Sequence, residues 1–168
     1  MQRLDFDKYI TNAAIISLIL SRKPLFFMII PRFIVIDDDK FNNALCTMVI
    51  AKVWKDAEVV TYHDPIAGFE YIVATYPKFT RDSPAILLLD INMPLMNGWE
   101  FLDRFGQKLK ELKLPLSDHL KIYVLSSSVD KKDIEKAHLY KNVTDYIVKP
   151  ITKDTIRHIT GIESTDGK

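Results

Sequence analysis

Five short apolar runs, each followed by a polar break and then by an amphipathic stretch, set the rhythm of this chain. The run at 85–89 is the least interrupted, and a single carboxylate, Asp90, follows it. A short continuous apolar run between turn signals suits a strand buried on both faces, as in a parallel sheet. Pro94 and Gly98 break the pattern, and Asn97-Gly98-Trp99-Glu100 reads as a helix start, with Asn97 as the cap and Glu100 reaching back. Strand, loop and helix thus follow one another, with an acid at the carboxyl end of the strand. Open α/β sheets place their chemistry there.

The other elements repeat this unit. A β-rich run at 33–36 ends in Asp37-Asp38-Asp39. Phe41, Ala44, Leu45, Met48 and Val49 recur at helical spacing and predict an amphipathic helix to about Trp54. A short strand at 58–62 precedes Asp64-Pro65, a capping acid with proline at the first helical position, and a helix to about Tyr76. Phe101, Leu102, Phe105, Leu109 and Leu112 mark the helix after the central strand, and Gly106 within it costs up to about 1 kcal/mol against alanine. A strand at 121–125 ends in Ser126-Ser127-Ser128. Asp130 caps a helix through about Leu139, a strand at 145–148 ends in Lys149-Pro150, and Thr152 caps a last helix carrying Ile156 and Ile159. Five βα units in succession predict an α/β fold: a doubly wound, five-stranded parallel sheet with helices on both faces.

Composition narrows the class. The chain has 168 residues, room for one ordinary domain, and its 48% hydrophobic and 27% charged content is that of a globular protein. With 23 basic and 22 acidic side chains the net charge is +1, so nothing points to a nucleic-acid partner. One cysteine, Cys46, excludes an intrachain disulfide framework and fits a reducing compartment. Its apolar helical setting makes it a core residue rather than a nucleophile. The histidines, His63, His119, His138 and His158, lack metal-ligand spacing. The apolar stretches at 10–20 and 25–30 both fall short of the ~20 residues of a membrane helix. Three readings of 1–32 stay open: a helix packed on the domain, a weak anchor or partner-binding segment, or a non-native lead with the true start near Met28. Residues 161–168 read as a frayed tail.

The polar residues at four strand ends differ in kind: Asp37, Asp38 and Asp39 after the first, Asp90 after the third, Ser126 after the fourth and Lys149 after the fifth. In a parallel sheet these ends share one rim. Carboxylates brought together repel, so a cation should balance them, and a hard ion such as Mg²⁺ suits the site. Lys149 supplies a point charge for a phosphoryl oxygen and Ser126 a hydroxyl donor. Each residue alone is better read as a surface acid, a cap or a solvated lysine. Their joint placement describes phosphoryl transfer onto a carboxylate.

VIDDD at 35–39, LLLDINMPLMNG at 87–98, VLSSS at 124–128 and YIVKP at 146–150 together resemble the receiver domain of two-component response regulators. The resemblance spans 33–160. It implies a flavodoxin-like strand order 2-1-3-4-5, Asp90 as phosphoacceptor, and a histidine kinase or histidine phosphotransfer protein as donor. It further implies Mg²⁺ on Asp38, Asp90 and the backbone carbonyl of Asn92, with Asp37 acting mainly through water. Ser126 becomes the switch hydroxyl, Lys149 the phosphate-pairing lysine before a cis proline, and Tyr146 the switch aromatic. Asn92 and Ser128 flank the path of the hydrolytic water. A cytoplasmic location, an unidentified downstream protein target and a homodimer contact through the fourth helix, fifth strand and fifth helix follow from the same resemblance. Asp39 is an additional acid, read as a loop residue or a water-mediated contributor. No output domain follows the match, which suggests a stand-alone regulator.

Two rivals remain. FIVIDDDKF also resembles the first motif of haloacid-dehalogenase phosphatases, with Asp37 as nucleophile and Asp39 as acid. That family needs a later acidic pair, whereas only Asp154 follows within 151–159, and Asp90 is left without a role. A degenerate receiver serving only as a binding scaffold is the other rival, although such domains usually lose the acceptor acid or the lysine, and both are present.

Overall fold

The computed structural model describes residues 31–162; the expectations placed on 1–30 and on the tail beyond 162 lie outside the described residues. Strands β1 (Arg32–Ile36), β2 (Val59–Tyr62), β3 (Ala85–Asp90), β4 (Leu120–Ser126) and β5 (Val143–Val148) form one all-parallel sheet in the order β2-β1-β3-β4-β5. Helices α1 (Lys40–Val53), α2 (Pro65–Thr75), α3 (Gly98–Glu111), α4 (Lys131–Leu139) and α5 (Lys153–Thr160) connect and flank it. A 3₁₀ turn, Tyr76–Lys78, extends the end of α2.

The period-2 alternation of strand side chains divides the core into two layers. Ile34, Ile36, Leu87 and Leu89 face one way and pack with Ile72, Phe101, Leu102 and Phe105 of α2 and α3. Phe33, Val35, Ile86 and Leu88 face the other way and pack with Cys46, Ile50, Ile156 and Ile159 of α1 and α5. All six residues of β3 are buried, as its unbroken apolar run requires.

The caps form as their sequences dictate. The Asn97 side chain accepts from the Glu100 backbone N–H while Glu100 reaches back to the Asn97 N–H. Asp64 and Asp130 cap α2 and α4, and Thr152 pairs reciprocally with Thr155 at the start of α5.

Three details depart from the sequence reading. The buried face of α1 is Asn43, Cys46, Val49 and Ile50, whereas Phe41 and Met48 are 72% and 55% exposed. Apolar residues run most of the way round this helix, so spacing alone does not choose the inward side. Asp39, read as an extra loop acid, is the N-cap of α1, its Oδ1 accepting from the Phe41 N–H at 2.8 Å. Strand β5 begins at Val143 rather than 145: Val143 and Thr144 are β-branched, and Val143 pairs with Ile122 of β4 across a register shift.

Candidate functional site

The carboxyl ends of β1, β3, β4 and β5 converge on one rim. Register fixes the alignment: Ile36 lies beside Leu89, Asp90 beside Leu125, and Ser126 beside Val148. The first polar residue past each apolar run therefore falls in one small space. Asp37 and Ser126 are fully buried and Asp90 is nearly so.

Lys149 ties the acids together. Its Nζ lies 2.6 Å from Asp37 Oδ2 and 3.0 Å from Asp90 Oδ2. Its backbone N–H donates to the Ser126 carbonyl at 2.8 Å, which fixes the end of β5 beside β4, and the following Lys149–Pro150 bond is cis. Burial alone would lower the Lys149 ammonium, but the two facing carboxylates outweigh it and hold the group above its ordinary value. Burial pushes the Asp90 carboxyl up, against the pull of Lys149 and of the Asn92 N–H, with Asp37 adding to the rise.

The two acids differ in what they leave available. Both oxygens of Asp37 are engaged: Oδ2 by Lys149, and Oδ1 by the Asp39 N–H at 2.9 Å and by Asn42 Nδ2 at 3.5 Å. Such an acid meets an ion more readily through water than by direct contact. Asp38 points into solvent, and Asp37, Asp38 and Asp90 each bring an oxygen within 4.8 Å of the others. Three hard oxygen donors of this kind fit Mg²⁺, which retains several waters.

The opposite wall is hydroxyl and amide. Ser126 Oγ accepts from the Ser128 N–H at 3.0 Å and lies 3.4 Å from Asn92 Nδ2. Ser128 Oγ is turned away, accepting from the Asp130 N–H at 3.1 Å. Its carbonyl accepts from the Tyr146 hydroxyl at 2.9 Å, so the half-buried Tyr146 is fastened to the loop that carries Ser126.

Asp37, Asp38, Asp90, Asn92, Ser126 and Lys149 thus lie at this rim, Tyr146 joins it through the Ser128 carbonyl, and Asn43 was not foreseen. Asn43, buried on α1, donates through Nδ2 to the carbonyls of Asp37 at 2.7 Å and Tyr62 at 3.3 Å, locking the end of β1 to β2. Its only trace in the sequence is an amide on the inward side of a helix whose register was ambiguous. Cys46 behaves as expected of a core thiol: burial, with Asp37 adding to it, pushes it up to about 12.

Residues 33–160 match the response regulator receiver domain family. The chain belongs to that family. Among curated relatives, the receiver is 26% identical to an uncharacterized response regulatory protein of Staphylococcus epidermidis, covering 78% of this chain and 45% of that protein. It is 28% identical to a chemotaxis protein CheY homolog of Campylobacter jejuni, covering 62% and 79%. Among solved structures, a two-component response regulator from Cytophaga hutchinsonii superposes with a TM-score of 0.65 at 30% identity, covering 80% and 98%. The chain spans 36–45% of the length of the first curated relatives it matches. The phosphatase alternative does not survive: Asp39 is spent on capping α1, and Asp154 lies in the first turn of α5, paired with Arg157 at 3.0 Å.

Proposed function

We propose that this receiver acts on its own, taking a phosphoryl group on Asp90 from a histidine kinase or histidine phosphotransfer protein and signalling through contact with a downstream protein in the cytoplasm. The observation that carries this reading is the bridge from Lys149 to Asp37 and Asp90 inside the acidic cluster. An intact acceptor, lysine and hydroxyl argue against a degenerate scaffold.

Receiver domains bind Mg²⁺ at an acidic pocket, and the donor set here suits it. Asp38, Asp90 and the Asn92 carbonyl would hold the ion, with Asp37 acting through water. When bound, it offsets the charge that gathers between the carboxylates and the incoming phosphoryl group. The chain's own groups do the rest. An Asp90 oxygen attacks phosphorus as the donor's P–N bond breaks and its electron pair leaves on the imidazole nitrogen. Lys149 exchanges part of its pairing with Asp90 for a phosphoryl oxygen, and the Ser126 hydroxyl, now an acceptor, rotates to donate to another.

That rotation releases the Ser128 N–H and draws the loop toward Asp90. Tyr146, fastened to the Ser128 carbonyl, follows it and changes the α4-β5-α5 face, where a target or a second copy docks. Exposed Phe41 and Leu95, 72% and 80% accessible, flank the rim as apolar contacts for the phosphodonor. Uptake of ³²P from acetyl phosphate tests the reading. Incorporation that Asp90→Asn abolishes is expected; label retained in that variant, or none in the wild type, contradicts it.

A further inference from the structure

Helix α4 is loosely seated. Of its nine residues only Ala137 is buried, and Leu139 is 81% exposed. Its principal side-chain grip on the neighbouring helix is a cluster centred on Trp99, in the first turn of α3. The Trp99 and Tyr140 rings stack at 5.7 Å with 19° between their planes. Lys136 Nζ sits 4.7 Å from the centre of the Trp99 ring, a cation–π contact. Burial first, and then the Asp103 carboxylate one turn along α3, raise the Tyr140 hydroxyl above its ordinary value.

The other end of the cluster touches the acceptor directly. Gly98 precedes Trp99, and its backbone N–H donates to the Ile91 carbonyl at 3.1 Å. A Cβ on Gly98 would stand 2.6 Å from the Asp90 carbonyl oxygen and 2.7 Å from Ile91 Cα. The start of α3 therefore lies against the backbone of the phosphoacceptor without even a methyl group of slack. A shift of the 90–97 loop cannot be absorbed between Asp90 and Trp99. It must move the indole against α4.

We infer that Trp99 is a positioning residue that couples the state of Asp90 to the seating of α4, the Trp99–Tyr140–Lys136 clasp being closed in the resting protein and opened when Asp90 is phosphorylated. This route runs through the α3 backbone and is separate from the one through Ser126 and Tyr146. It rests on the phosphoacceptor reading above. If the clasp holds the resting state, weakening it shifts the population toward the phosphorylated conformation, and by linkage the acceptor site binds a phosphoryl mimic more tightly. A contact that merely supports the fold would lower stability and leave that affinity alone.

The experiment titrates the full chain with beryllofluoride at saturating Mg²⁺ by calorimetry, and follows amide hydrogen exchange of 131–139 in parallel. In the wild type, exchange in α4 is expected to accelerate when beryllofluoride binds. Trp99→Leu is expected to show fast exchange without ligand and about fivefold or tighter binding. Lys136→Gln, an exposed change with little risk to folding, shifts affinity the same way by about twofold and carries the test alone if Trp99→Leu does not fold. Wild-type binding with unchanged affinity in the folded variants, or with α4 exchange indifferent to ligand, overturns the coupling while sparing the phosphoacceptor reading. A wild type that binds no beryllofluoride overturns both.

Discussion

At the scale of single residues, the site is a set of charges held closer together than water would leave them. Asp90 shows the consequence. Its folded carboxyl lies above its ordinary value because burial opposes ionisation more than Lys149 and the Asn92 N–H favour it. Such a group adds stability below its unfolded value, near 3.8, and loses that contribution as pH rises through the raised folded value. At neutral pH the ionised Asp90 is therefore a burden on the metal-free protein. Asp90→Asn should melt a few degrees higher than the wild type at pH 7 in EDTA, and the gap should narrow toward pH 3; thermal scans across that range check it. Excess Mg²⁺ should raise the wild-type melting temperature, by an amount corresponding to about 2.7 kcal/mol at one hundred times its dissociation constant, and much less in Asp38→Asn. We propose that Ser128 helps to set the lifetime of the phosphorylated form. Its hydroxyl accepts from the Asp130 N–H at 3.1 Å, and the short side chain has neither an acid nor an amide to reach and orient a water in line with phosphorus. Ser128→Gln should accelerate loss of label severalfold in the presence of Mg²⁺; a rate equal to the wild type would place the limit elsewhere. Asp37, Asp90, Ser126 and Lys149 were legible because each is the first polar residue past an apolar run. Asn43 and the Trp99–Tyr140–Lys136 cluster were not, since their roles arise only when distant segments meet.

At the scale of elements, α3 gives two opposed expectations from one residue type. Gly98 touches backbone on the acceptor strand, so Gly98→Ala forces the helix start to move. It should cost about 1–3 kcal/mol and slow phosphorylation. Gly106 has nothing within 4 Å of an added Cβ, so Gly106→Ala should stabilise by about 0.5–1 kcal/mol through helix propensity alone. Urea denaturation of both variants checks the contrast, and equal signs would mean that the close approach at Gly98 is not rigid. The same physics separates what sequence patterns disclose from what they hide. α3 and α5 each carry one apolar stripe, and Phe101, Phe105, Ile156 and Ile159 point inward as their spacing requires. α1 carries apolar residues most of the way round, so Phe41 and Met48 looked like core, whereas the sheet buries Asn43 and Ile50 beside the expected Cys46 and Val49. β5 illustrates the other limit: at the sheet edge, pairing with β4 rather than apolar content decides where a strand begins.

At the scale of the molecule, the fold separates scaffold from chemistry. Two apolar layers clamp the sheet, and the reacting groups sit on the rim where the layers end. Among the described residues no helix is long and apolar enough to cross a membrane. None of the site residues precedes Asp37, so a chain beginning at Met28 should fold and accept phosphate at the full-length rate. Failure to fold would instead assign the apolar stretch at 10–20 a covering role on the domain. We propose that Asp90 accepts a phosphoryl group with Mg²⁺ in the acidic cluster. Intact-mass measurement after incubation with acetyl phosphate tests it most directly. One added phosphoryl group is expected in the wild type with Mg²⁺, and none in excess EDTA or in Asp90→Asn. The same mass gain in EDTA, or in the variant, would contradict the account.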